Sequence, residues 1–186
     1  MNKKYKPWEG PRNLYESFSG YLAQGDKLLD LGIGAGQCAG KFHNLGVNTT
    51  GIDINISALR LSKKKDISSL VQSDIRQGLP FKSDSFTHVI SCGVFLYFNE
   101  LGSIFSEVSR VIEKGGYFAF NVREHQEGLT ARETNVCLFP HNFNYVNREL
   151  GNNSFRVLHH HPFEGYTSSI EQSVVNMRTY IARSIR

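Results

Sequence analysis

The sequence predicts an α/β protein in which helices cover both faces of a doubly wound, largely parallel sheet. Short apolar segments that suit buried strands alternate along the chain with segments of helical periodicity. Residues suited to ligand chemistry come directly after several of these strands, which is where ligands bind in doubly wound folds. A length of 186 residues with 40% hydrophobic content fits one domain with a full core.

The first half of the chain contains a helix followed by three strands with helices between them. Each predicted strand is a short apolar run, and each predicted helix places apolar residues on one face. Gly25 and Gly46 end the first two helices, and Ser57 caps the third. In order, these elements are a helix over 12–24, a strand over 27–31, a helix over 36–45, a strand over 47–54, a helix over 57–65 and a strand over 69–73.

The second half continues the alternation. A helix that opens at Asn99 carries a clear apolar face and stops at the turn Lys114-Gly115-Gly116. Residues 123–140 show no regular pattern. The remaining elements are a strand over 86–91, a strand over 117–122, a helix over 143–150, and two final strands over 155–161 and 177–184.

Composition and charge narrow the class of protein. No apolar run approaches the ~20 residues of a membrane helix, and the basic start is not followed by the apolar segment of a secretory signal. Three scattered cysteines without a CxxC pair indicate reduced thiols rather than a disulfide framework. A net charge of +4 permits an anionic partner without requiring one. We therefore expect a cytoplasmic protein that has no membrane partner.

The segment LLDLGIGAGQ (28–37) joins the first strand to the next helix through a glycine-rich loop. Gly32, Gly34 and Gly36 permit backbone conformations and a close ligand approach that side chains would prevent. Asp53, at the end of the neighbouring strand, can accept two hydrogen bonds from the vicinal hydroxyls of a ribose. The glycine-rich loop and Asp53 together indicate a ligand that contains adenosine.

The same loop argues against a dinucleotide. Dinucleotide sites read G-x-G-x-x-G and hold a pyrophosphate at the helix N-terminus, whereas Gln37 stands where the last glycine would be. Asp30, two residues before the first glycine, would repel a pyrophosphate and attract a cation. The P-loop pattern is absent as well. The residues indicate a positively charged adenosine ligand without phosphate, and S-adenosylmethionine fits that description.

Four segments, in order along the chain, resemble the class I S-adenosylmethionine-dependent methyltransferases. They are LLDLGIGAG (28–36), GIDIN (51–55), QSDIRQGLPFKSDSFTHVIS (72–91) and RVIEKGGYFAF (110–120). The resemblance covers about residues 12–122. It implies a Rossmann-like sheet of seven strands, parallel except for the last strand, which is inserted antiparallel. It also implies S-adenosyl-L-methionine as the cofactor and S-adenosyl-L-homocysteine as its product.

The resemblance implies a role for each matching residue. Asp30 would orient the methionine ammonium group, and Asp53 would bind the ribose hydroxyls. The other implied contacts are Gly32, Gly34 and Gly36 beside the methionine and ribose, Ile54, Asp74 and Ile75 beside the adenine, Ser91 and Cys92 at the methyl-donor end, and Tyr15 as a cover over the cofactor.

The acceptor side is less well marked. Tyr97, Arg123 and His125 follow the fourth and fifth strands and are candidates to face the methyl acceptor, although surface or packing roles fit them equally well. Methyl transfer from a sulfonium depends on positioning and water exclusion more than on a base, so the catalytic residue is left open. Neighbouring side chains of a strand point to opposite faces, so His159-His160-His161 cannot act together, and we expect no metal.

These observations predict one methyltransferase domain over residues 1–186. Its parts would be an N-terminal helical cap (1–25), a cofactor-binding half (26–122), and a substrate-side half with a closing hairpin (123–186). We expect a small-molecule acceptor. An RNA or protein acceptor is an alternative because the chain is basic, and a non-enzymatic module that binds S-adenosylmethionine is a third. The sequence leaves the oligomeric state open.

Overall fold

Seven strands form a single sheet within the part of the chain that the structure describes. This computed structural model describes residues 6–65, 67–124, 138–167 and 174–186. The strands are β1 (Lys27–Leu31), β2 (Asn48–Asp53), β3 (Ser69–Gln72), β4 (Phe86–Ser91), β5 (Ile112–Arg123), β6 (Phe155–Thr167) and β7 (Val174–Ser184).

The strand order across the sheet is β3-β2-β1-β4-β5-β7-β6. Strands β1 to β5 run parallel, whereas β7 is antiparallel to both of its neighbours, β5 and β6. The predicted insertion of an antiparallel last strand is therefore confirmed. The chain builds outward from β1 to β3 and then returns to place β4 on the other side of β1. This reversal opens a crevice beyond the carboxyl ends of β1 and β4.

The described helices cover both faces of the sheet, as predicted. They are α1 (Gly10–Phe18), α2 (Ala39–Phe42), α3 (Ile56–Ser62), α4 (Gly102–Val111) and α5 (Phe143–Asn152). Successive side chains of β1 point to opposite faces, so Leu28 packs in the cluster of α1 and α2, and Leu29 packs in the cluster of α4 and α5. None of these helices is long and apolar enough to cross a membrane.

Four of the five described helices begin at residues other than those predicted, and α1 and α2 begin at Gly10 and Ala39 instead of residues 12 and 36. Asn55 rather than Ser57 caps α3, because its Oδ1 accepts hydrogen bonds from the backbone N–H groups of Ser57 (2.9 Å) and Ala58 (3.2 Å). Helix α4 begins at Gly102 and not at Asn99. The errors at α3 and α4 arise because several polar residues precede the apolar face, and each of them is an acceptable first residue.

The predicted turn Lys114-Gly115-Gly116 lies inside β5, which begins at Ile112. At Gly116 the strand passes so close to β4 that a Cβ atom would lie 2.5 Å from the carbonyl oxygen of Thr87. Gly115 adopts a left-handed backbone conformation (φ 78°), and the pairing of β4 with β5 changes register in this region. The two glycines therefore make an irregularity within a strand instead of a turn between elements.

Phenylalanine rings fill the core between the sheet and α4. Phe105 on α4 is fully buried, and its ring centroid lies 5.4 Å from that of Phe118 and 5.2 Å from that of Phe120. The ring of Phe95, in the segment after β4, lies 5.7 Å from the ring of Phe105. These contacts hold both α4 and the segment after β4 against β5, and that segment forms one side of the crevice.

The substitution Phe105→Ala should lower the free energy of unfolding by ~3–5 kcal/mol, because it removes a fully buried ring and leaves a cavity among three others. Chemical denaturation of the purified protein measures this change. The neighbouring residue Ser106 is exposed on the same helix, so Ser106→Ala is the matched control and should change the value by less than ~0.5 kcal/mol. Equal effects of the two substitutions would contradict this account of the core.

Candidate functional site

A cleft of about 590 Å³ opens at the carboxyl ends of β1 to β4. Its walls come from residues that end these strands or follow them, as the reversal of strand order requires. The volume lies within the range of small-molecule and cofactor sites. Eight of the predicted cofactor residues line the cleft: Asp30, Gly32, Gly34, Asp53, Ile54, Asp74, Ile75 and Cys92.

Asp30 lies at the floor of the cleft with 1% of its surface exposed. The backbone N–H of Ala39 donates a hydrogen bond to its carboxylate, but Oδ2 has no hydrogen-bond partner among the described residues. Burial raises the pKa of Asp30 to about 8, with a further contribution from the nearby charge of Asp53. A cation in the cleft would therefore pair with a carboxylate that the protein leaves incompletely satisfied.

The glycine loop brings backbone, not side chains, to the cleft surface. Gly32 and Gly34 have left-handed conformations, with φ of 69° and 55°. A Cβ atom on Gly32 would lie 2.4 Å from a methyl carbon of Val94, in the segment after β4. A Cβ atom on Gly34 would meet no atom within 4 Å, so this residue faces open space. The loop thus packs against the segment after β4 at Gly32 and leaves room for a ligand at Gly34.

The carboxylate of Asp53 joins the end of β2 to the glycine loop. Its Oδ2 accepts a hydrogen bond from the backbone N–H of Gly34 at 2.8 Å, and its Oδ1 accepts one from the backbone N–H of Asn55 at 2.8 Å. Each carboxylate oxygen can accept a further bond. The side chain therefore orients the loop and still offers two acceptors toward the cleft, as binding of vicinal hydroxyls would require.

Asp74 is engaged by a residue that the sequence reading did not single out. The Arg76 guanidinium donates to both carboxylate oxygens at 2.5–3.0 Å, and the Arg76 backbone N–H donates at 3.0 Å. The hydrogen bonds from Arg76 hold the pKa of Asp74 below its usual value. Arg76 also lines the cleft, and its side chain is 66% exposed. An adenine amino group would therefore have to share Asp74 with this guanidinium.

Three predicted cofactor residues do not line the cleft. The ring of Tyr15 packs on Phe42, with 5.2 Å between the ring centroids. Ser91 is fully buried, and its hydroxyl donates to the carbonyl oxygen of Leu31 at 3.1 Å. Gly36 faces the end of α3.

Of the three acceptor-side candidates, Tyr97 lines the cleft and is 54% exposed. Arg123 ends β5 outside the cleft lining, and its carbonyl oxygen accepts a hydrogen bond from the backbone N–H of His141 at 2.9 Å. His125 lies outside the described residues. Tyr97 is therefore the candidate that the structure brings to the cleft.

The three consecutive histidines lie on β6, away from the cleft lining. His160 Nδ1 is 2.8 Å from a guanidinium nitrogen of Arg178, whereas His161 Nε2 is 3.2 Å from Oδ1 of Asn13. Among the residues that the structure covers, no three potential metal ligands come together.

Aromatic and apolar residues form a wall of the cleft, and two of them, Trp8 and Val94, were not predicted from the sequence. Trp8, Val94 and Phe98 line it together with Tyr97. Trp8 is held there by β6, because the backbone N–H of Glu9 donates to the carbonyl oxygen of Gly165 at 2.9 Å. The contact joins residues more than 150 positions apart, and no local pattern around Trp8 signals it.

A sequence model of the family described as a methyltransferase domain matches residues 29–120, about half of the chain. The matched stretch contains the glycine loop, Asp53 and Asp74. The chain belongs to the class I S-adenosylmethionine-dependent methyltransferases.

Two curated proteins have similar sequences over about half of this chain. An uncharacterised protein of Methanocaldococcus jannaschii is 34% identical over 101 residues, which are 54% of this chain and 38% of that protein. A sterol methyltransferase-like protein of Botryococcus braunii is 31% identical over 106 residues, which are 53% of this chain and 27% of that protein. The chain thus spans between about a quarter and two fifths of the length of these relatives.

A solved structure has the same fold. The crystal structure of a methyltransferase from Methanosarcina mazei, described as S-adenosylmethionine-dependent, superposes with a TM-score of 0.78. The match covers 92% of this chain and 98% of that chain, at 18% sequence identity. The likeness extends past the matched family segment into the final strands.

Ligand binding at Asp30 should be linked to a proton. In the free protein the raised pKa favours the protonated acid, so this group's contribution to stability falls as pH rises from 3.8 toward about 8. An ammonium group favours the carboxylate, so S-adenosylhomocysteine should release about one proton from Asp30 at pH 7. Calorimetry in buffers of different ionisation enthalpy measures the release.

The variant Asp30→Asn is the control for that experiment, since its amide cannot titrate. The proton release assigned to Asp30 should be absent in this variant, whereas any release from the ligand's own amino group should persist. Equal proton release in the two proteins would show that Asp30 does not meet the ammonium group.

Proposed function

We propose that this chain transfers a methyl group from S-adenosylmethionine to a small-molecule acceptor. The observation that carries the proposal is the buried carboxylate of Asp30, with an unpaired oxygen, at the floor of a cleft that also presents Asp53. The carboxylate of Asp30 suits a cation, and that of Asp53 suits the hydroxyls of a ribose. A ligand that combines both features without phosphate fits this arrangement.

The residues of the cleft suit each part of the cofactor. Asp30 would pair with the methionine ammonium, and the open space at Gly34 would admit the methionine and ribose. Asp53 would accept hydrogen bonds from the ribose hydroxyls. Ile54 is 59% exposed, which suits it to pack against the adenine that Asp74 and the Ile75 backbone would recognise. When bound, S-adenosylmethionine supplies a methyl group carried on a sulfonium. The sulfur is the leaving group and becomes a neutral thioether.

The protein's own contribution to catalysis is to hold the acceptor in position and to exclude water. Apolar and aromatic side chains line the side of the cleft beyond Cys92, and they exclude water from the path of the methyl group. Trp8, Val94 and Tyr97 would orient an acceptor in line with the sulfonium. A general base is needed only where the acceptor must lose its proton before the methyl group is transferred.

A small-molecule acceptor is supported by the cleft and by a relative. The cleft is concave and of the size that suits a cofactor with a modest second ligand. The related protein of Botryococcus braunii, which matches 53% of this chain, is named as sterol methyltransferase-like. These observations favour a small molecule over RNA or protein as the acceptor.

Replacing Asp53 with alanine should weaken the binding of S-adenosylhomocysteine by ~1–3 kcal/mol, because the ribose loses its acceptor. Titration calorimetry gives the dissociation constant. Asp53→Asn is the matched control, since its amide keeps one oxygen acceptor and should retain part of the affinity. Thermal unfolding of both variants corrects for loss of the Gly34 hydrogen bond. An unchanged affinity in Asp53→Ala would put the assignment of this carboxylate in error.

The acceptor can be found by incubating the protein with methyl-labelled S-adenosylmethionine and fractionated cell extract. We expect label in a low-molecular-weight fraction, at a rate that falls in the Asp53→Ala variant. Label that is lost on nuclease or protease treatment would replace the small molecule with RNA or protein. Cofactor binding without turnover on any fraction would indicate a binding module instead of an enzyme.

A further inference from the structure

Two cysteines meet at the floor of the cleft. Cys38 immediately precedes α2, and Cys92 follows β4. Both line the cleft beside Asp30, and Cys92 packs against the cluster that contains Cys38. The two thiols are close enough to influence each other's ionisation. Residues 54 positions apart in the sequence are thus neighbours at one end of the proposed cofactor site.

The sulfur of Cys92 is fixed by a buried amide on β5. Asn121 is 1% exposed, and its Oδ1 accepts a hydrogen bond from the backbone N–H of Gly93 at 2.8 Å. Its Nδ2 donates to Cys92 Sγ at 3.4 Å. This hydrogen bond holds the Cys92 sulfur in one orientation, beside the cleft that both cysteines line.

Cys38 has the opposite surroundings. It is buried, and both the other thiol and the carboxylate of Asp30 are nearby. The neighbouring Cys92 thiol, together with burial and the Asp30 charge, raises the pKa of the Cys38 thiol well above its usual value. Cys38 therefore stays protonated, whereas Cys92 is the more accessible sulfur and the one that faces a donor.

We infer that Cys38 and Cys92 are a peroxide-sensitive thiol pair that closes into a disulfide within the cleft. Cys92 attacks hydrogen peroxide, so that a sulfur–oxygen bond forms, the peroxide bond breaks and water leaves. The Cys38 sulfur then attacks the Cys92 sulfenic acid. The sulfur–sulfur bond forms, the sulfur–oxygen bond breaks, and the hydroxide leaves as water with the Cys38 proton. Two thiols lose two electrons, and one peroxide is reduced to two waters.

The backbone around both cysteines can follow the closure. Neither residue lies within a helix or strand, and each has a left-handed glycine close by, Gly36 with φ 74° and Gly93 with φ 73°. Closing the bond draws the segment after β4 toward the loop before α2. Because the proposed methionine end of the cofactor lies between these segments, bound cofactor should hinder the closure. This last step rests on the proposed function.

The test treats the intact reduced protein with hydrogen peroxide, alkylates the remaining thiols and maps the peptides by mass spectrometry. We expect a Cys38–Cys92 linked peptide, loss of two of the three alkylatable cysteines, and reversal by dithiothreitol. Cys137→Ser is the matched control and should form the same link. Cys38→Ser and Cys92→Ser should not form it, and Cys38→Ser should instead accumulate sulfenic or sulfinic acid at Cys92.

Three outcomes would overturn the inference. They are a link that involves Cys137, over-oxidation of Cys92 in the wild-type protein with Cys38 still free, and no reaction under conditions that oxidise a model thiol. Because the wild-type result decides, poor folding of a serine variant would not obscure it. Saturating S-adenosylhomocysteine should slow the link several-fold. If calorimetry shows no binding of this ligand to the reduced protein, the proposed function fails while the result for the thiol pair stands.

Discussion

A carboxylate buried near the end of β1 is the constraint on which this site depends. Asp30 has almost no contact with solvent, and one of its oxygens lacks a partner among the described residues. Burying a charge in this way is costly, so the free protein favours the neutral acid. The carboxylate form of Asp30 therefore needs a positive group beside it, and the cleft has room for one.

The fold places the other groups of the cleft around that carboxylate. Reversal of strand order at β1 puts Asp30 between β2 and β4, so loops from both sides reach the ligand. Asp53 ties one of these loops to β2 through Gly34, and Asn121 ties the segment after β4 to β5 through Gly93. In both cases a side chain on a strand hydrogen-bonds the backbone of a neighbouring loop. These two bonds fix the shape of the cleft, while backbone and apolar groups form most of its surface.

The parts that could be predicted from sequence are those encoded locally. Strands β1 and β4 have the predicted bounds because each is an apolar run between polar residues. Asp53 was found because it ends such a run, and Asp30 because it stands just before the glycine loop. Features that depend on distant pairing were missed. Trp8 reaches the cleft through the far end of β6, and the start of β5 depends on its fit against β4. The side chain of Ser91 points away from the cleft. The two-residue period of a strand shows that side chains alternate, but it does not show which of them face the cleft.

The position of Trp8 has a consequence for spectroscopy. It is the only tryptophan of the chain, and its ring lies in the wall of the cleft and packs against Tyr166 with 5.9 Å between the ring centroids. Indole emission depends on the polarity around the ring, which changes when a ligand displaces water from that wall. The protein thus carries an intrinsic fluorophore at its candidate site, and occupancy of the cleft can be followed optically without a label.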